Sequence, residues 1–256
     1  MATITGVFEH AADAKECLFR LHQLGITDNA IVVLWPGAPQ EATKEIPLSE
    51  GEQPGMGAAM GEVLGGAVGA AGGFSLGAAV ASLLLPGVGP ILVGGLIGTT
   101  LLGLGGVQGG KLAGEAIEDA LFEGLPRDEV FVYEDALRQG RTVIVVETKD
   151  EEEVRAIMAQ AGAESIDAAR KKWWLGLRQA EKERYMALGE DFERDEIVFR
   201  TGFEAAQSRA LLGKSFEEAF PTLSDQYPDV AGTRAFRAGY ESGRTYADNL
   251  RNQPVA

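Results

Sequence analysis

Two short stretches carry residue types and spacings that do chemistry in other settings. Gly73-Phe74-Ser75-Leu76-Gly77 has the G-x-S-x-G pattern of a nucleophile elbow, which would present Ser75 for acyl transfer. That chemistry needs a histidine base and a strand–turn–helix setting. The two histidines, His10 and His22, both precede the motif, and the motif lies inside a glycine repeat. Ser75 is therefore not expected to be catalytic. The stretch from Gly105 to Lys111 approaches a phosphate-binding loop, but the hydroxyl that would hold magnesium is replaced by Leu112. It reads instead as a helix leaving an apolar layer, with Lys111 snorkelling towards water. Metal chemistry has little to work with. A carboxylate di-iron bundle needs Glu-x-x-His pairs, and no histidine follows His22. His10 and Asp13 supply at most two ligands. No catalytic residue, metal or cofactor is expected, and the chain is read as a non-enzyme.

One cluster mixes cations with aromatics: Arg170-Lys171-Lys172-Trp173-Trp174. It would serve as an interfacial anchor if the tryptophans sat at headgroup depth and the lysines met lipid phosphate. The alternative, which weighs more, packs Trp174 in a helical core and leaves the cations in water. The net charge of −15 opposes a nucleic-acid partner, which calls for a basic face. Cys17 is the single cysteine, so no intrachain disulfide can form, in keeping with a reducing compartment. The opening residues lack the basic start and apolar run of an export signal, so the cytoplasmic side is the expected location.

The elements that must position these groups fall into three parts. Residues 1–35 read as strand, helix and strand: 3–8 is rich in β-branched and aromatic types, and 11–24 carries Ala14, Cys17, Leu18, Leu21 and Leu24 at helical spacing. Gly25 is a helix stop, and 31–35 is an apolar strand. Residues 36–56, proline-rich and acidic, form a linker. After 111 come helices at 111–122 and 127–139, a stop at Gly140, a strand at 142–146, a helix at 150–161 that opens with acids, and a short strand near 164–167.

Between these halves lies an anomaly. No charged residue occurs from 63 to 110, and Gly57, Gly61, Gly65, Gly69, Gly73 and Gly77 fall at every fourth position. Glycine costs a helix in water about 1 kcal/mol relative to alanine, so six would melt it unless another environment holds it. Hydrocarbon does so by penalising any unpaired peptide group, and a close helix pair does so through backbone contact. The turn residues Pro86, Gly87, Gly89 and Pro90 split the run into arms over 63–85 and 91–110, each long enough to cross a bilayer. Gly94 and Gly98, then Gly106, Gly110 and Gly114, continue the small-residue face in the second arm. The expectation is a glycine-zipper helical hairpin inserted in the cytoplasmic membrane. The lipid bilayer is its partner, further copies of the chain pack on it, and the soluble lobes face the cytoplasm. Two alternatives stand: a soluble homo-oligomer that buries the hairpins in a shared centre, and a ligand-binding regulatory module.

Residues 168–256 read as an all-α domain. Trp174, Leu177, Glu181, Tyr185, Leu188 and Phe192 mark one helical stripe. A phrase then recurs: Phe199-Arg-Thr-Gly-Phe-Glu204 and Phe236-Arg-Ala-Gly-Tyr-Glu241. In each copy two aromatics lie four apart with a glycine beside them, so a partner helix comes close there. Arg200 with Glu204 and Arg237 with Glu241 are helix-stabilising i,i+4 pairs.

With the hairpin removed, 1–35 and 111–167 look like a ferredoxin-like α/β sandwich, giving an α+β chain overall. Gly6-Val-Phe8, the helix from Ala14 to Leu24, Gly25-Ile26 before Ile31-Val-Val33, and Glu134-Asp-Ala-Leu-Arg-Gln-Gly140-Arg-Thr-Val-Ile-Val-Val146 resemble the bacterial general stress protein family with its heat-induced domain. The resemblance covers about 1–167. It implies an α/β domain with a glycine-rich insert and brings no catalytic residues. The helical region beyond lies outside it.

Overall fold

The computed structural model describes residues 1–36, 81–85, 89–95, 125–126 and 128–252. The chain divides into two compact units, one of residues 1–126 with 133–169 and one of residues 127–132 with 170–256. The fold is α+β.

The first unit is built on an antiparallel sheet. Its strands are β1 (Ala2–Phe8), β2 (Ile31–Pro36), β3 (Ala81–Leu85), β4 (Gly89–Gly95), β5 (Thr142–Thr148) and β6 (Glu164–Ser165), in the order β3-β4-β2-β5-β1-β6. Helix α1 (Ala11–Gln23) joins β1 to β2, α2 (Val130–Arg138) precedes β5, and α3 (Glu151–Gln160) joins β5 to β6. Alternation along the strands sends Ile4, Phe8, Ile31, Val33, Trp35, Ile144 and Val146 to one face. There they pack on Ala14, Cys17, Leu18 and Leu21 of α1 and on Val154 and Met158 of α3. Thr5 points the other way from Ile4, and its hydroxyl is 3.2 Å from that of Tyr133, which puts α2 on the opposite face.

The stops expected at Gly25 and Gly140 take a left-handed backbone, with φ of 91° and 77°. In each case the following amide reaches back to the helix: Ile26 to the Leu21 carbonyl and Arg141 to the Ala136 carbonyl. These two turns settle the carbonyls that a helix end leaves over. Three glutamates open α3, where the helix dipole favours negative charge. Cys17 is fully buried in the core of this unit, and burial pushes its thiol up to about 12.

The inner ends of the expected helical arms are corrected here. Residues 81–85 and 89–95 are strands that pair antiparallel, with Leu85 opposite Gly89. Gly94 pairs with Val33 in the sheet and lines no helix face, and Pro90 pairs with Leu84. The physical reason lies with Ile91 and Val93. Both are β-branched, two apart, and fully buried beside β2, a gain that a lone glycine-rich helix cannot match. Gly57, Gly61, Gly65, Gly69, Gly73, Gly77, Gly98, Gly106, Gly110, Gly114, Pro86 and Gly87 lie outside the described residues, as do Ser75, Lys111 and the expected linker apart from Pro36, which ends β2. Among the described residues no helix is long and apolar enough to cross a membrane.

The second unit is helical. It takes most of α4 (Ile166–Ala187), then α5 (Phe192–Ala205), α6 (Phe216–Gln226) and α7 (Arg234–Arg251). Each of the last three starts on a side-chain cap: Asp191 accepts from the Arg194 amide, Ser215 forms a capping box with Glu218, and Thr233 accepts from the Phe236 amide. The stripe expected through Leu188 breaks. Helix α4 ends at Ala187, Gly189 turns the chain at φ 82°, and Leu188 is left 63 % exposed.

Candidate functional site

In the second unit α5 and α7 approach each other backbone to backbone at the repeated phrase. A methyl group placed on Gly202 would lie 2.1 Å from the carbonyl oxygen of Phe236, and one on Gly239 would lie 1.9 Å from that of Phe199. The two copies therefore notch into one another reciprocally. Gly243 repeats the contact one turn on, 2.4 Å from the Phe203 carbonyl oxygen, so the helices run in the same direction. Both helices use small residues four apart, Gly202 with Ala206 and Gly239 with Gly243, the device that lets helix axes come close. Gln207 fastens the crossing: its buried amide donates to the carbonyls of Phe203 at 3.0 Å and Gly243 at 2.9 Å.

Around the crossing each half carries the same constellation. In one, Trp174 of α4 packs against Phe203 at 5.6 Å, Arg200 lies 5.7 Å over the Trp174 ring, and its Nε donates to Glu204 at 2.6 Å. In the other, Phe216 of α6 packs against Tyr240 at 5.7 Å, Arg237 lies 5.1 Å over the Phe216 ring, and its Nε donates to Glu241 at 2.8 Å. The i,i+4 pairs read from the sequence thus do more than steady one helix, because each arginine also caps an aromatic of the preceding helix.

Polar links tie α4 to its neighbours. Glu196 accepts from the Trp174 indole at 3.1 Å and from the Arg178 Nε at 2.7 Å, and the Arg178 hydrogen bond holds its carboxyl below the usual glutamate range. Glu181, the polar residue in the expected stripe, is buried and accepts from the hydroxyl of Ser242 on α7 and from Arg184. Burial, aided by a 2.9 Å hydrogen bond to Asp195, pushes the Tyr185 phenol up to about 12.

Beside the second constellation lies an open groove of about 550 Å³ between α6 and the start of α7, lined by Phe216, Phe220, Gly232, Thr233, Arg234 and Arg237 with Glu217. Its cations are engaged: Arg237 pairs with Glu217 and Glu241, and Arg234 pairs with Glu190 at 2.7 Å. The groove offers an apolar floor and a neutralised rim, a surface for burying an apolar group and not an arrangement for moving protons. Among the described residues, no three or more His, Cys, Asp or Glu side chains stand where they would hold a metal ion. His22 lies 2.8 Å from Asp28 at the surface of the first unit, and His10 is an exposed residue at the start of α1.

Of the anchor residues expected from the sequence, Lys171 and Lys172 are exposed. Trp173 and Trp174 are buried: Trp173 meets Phe131 at 4.7 Å and Phe203 at 5.8 Å. Neither indole stands at a surface where headgroups would meet it, which corrects the interfacial reading of the pair and agrees with core packing of Trp174. Gln207, Glu181 and Ser242 were not singled out from the sequence. Gln207 follows the first copy of the repeat by three residues, a position whose polar side chain would be the signal to look for.

Comparison with protein-family models, with curated proteins and with solved structures finds no match to this chain.

Proposed function

We propose that this chain is a non-enzymatic structural protein that assembles with further copies of itself through the apolar glycine-rich segment 57–110. The observation that carries the reading is the pairing of β4 with β2, which fastens the middle of that segment to the sheet. With 81–85 and 89–95 in strands, the uncharged run from 63 to 110 does not form the two unbroken apolar helical arms over 63–85 and 91–110. Self-association through this run would hide its apolar residues from water. The sheet order β2-β5-β1-β6, with α1 and α3 as crossovers, supports placing the first unit with ferredoxin-like folds. It also supports the resemblance to bacterial general stress proteins on which a stress role rests.

A second reading, attachment to a lipid bilayer on the cytoplasmic side, is favoured by the lack of charge from 63 to 110. One experiment separates the two. Cells are broken without detergent, the membrane and supernatant fractions are probed for the protein, and the supernatant is sized by gel filtration. The proposal expects a large discrete particle in the supernatant that loses mass in the Gly65→Leu/Gly69→Leu variant. A monomer in the supernatant overturns it, and recovery in floated vesicles establishes the second reading.

A further inference from the structure

We draw no further inference here: the strongest candidate, the groove between α6 and the start of α7, has both of its arginines already paired with glutamates, and nothing in the structure shows what covers its floor of Phe216 and Phe220.

Discussion

Two glycines in the second unit make opposite demands. Gly239 sits where a methyl group would lie 1.9 Å from the Phe199 carbonyl oxygen, and backbone cannot give way as a flexible side chain would. Gly239→Ala should therefore destabilise the protein by about 3 kcal/mol, the cost of forcing packed elements apart. Gly176, in the middle of α4, has no heavy atom within 4 Å of the corresponding position. Gly176→Ala should stabilise by about 0.5–1 kcal/mol, through helix propensity and a less flexible unfolded chain. Urea titration of the two variants beside the parent tests the pair, and equal shifts would refute the close approach. Tyr185 gives a prediction in pH. Its phenol ionises near 10 when unfolded and at about 12 when folded, so the folded state binds the proton more tightly. The stabilisation is complete below pH 10 and is lost as pH rises from 10 to 12. Tyrosinate absorbance should show this late titration in the parent and lose it in Tyr185→Phe, which should also flatten the alkaline fall in stability.

Among the elements, the hydrogen bonds from Trp174 and Arg178 to Glu196 bind α4 to α5. Because Arg178 lowers the folded-state pKa of Glu196, the link contributes above the ordinary glutamate pKa and is lost as pH falls through the lowered value. Glu196→Gln should cost about 1–2 kcal/mol at neutral pH and shrink the difference from the parent under acid, as followed by denaturant midpoints across pH. The α/β elements were largely legible in the sequence because their signals agree: β-branched runs, a clear helical stripe in α1, and glycines at both helix stops. The α5–α7 contact was legible in kind, since aromatics four apart with a glycine between them leave a notch. That the two copies would fill each other's notch was not, because a single sequence does not pair its own repeats. Strands β3 and β4 were missed for a definite reason. Short apolar runs such as Leu83-Leu84-Leu85 and Ile91-Leu92-Val93 fit a buried helix and a buried strand equally by periodicity. The glycine period upstream tipped the reading to helix, although a short Pro/Gly connection between two such runs is also a hairpin signal. Hydrogen exchange tests the strand assignment: amides of 91–95 should be protected along with those of 31–35, and fast exchange there would overturn the pairing of β4 with β2.

At the scale of the molecule, in the assembly proposed above, a net charge of −15 would drive copies apart and the uncharged stretch from 63 to 110 would be where they meet. Assembly should therefore strengthen with salt, as repulsion between the acidic surfaces is screened and the apolar contact is untouched. Light scattering between low and high ionic strength measures this, and assembly that dissolves with added salt would point to ion pairs in place of apolar burial. The second unit carries a mechanical consequence of its crossing. With the carbonyls of Phe199 and Phe236 each seated in the other helix's notch, a slide of one turn would bring an oxygen against a side chain instead of a hydrogen. Helices α5 and α7 are thus keyed against axial slippage, and a pull on either one is transmitted to the other as if along a single strut.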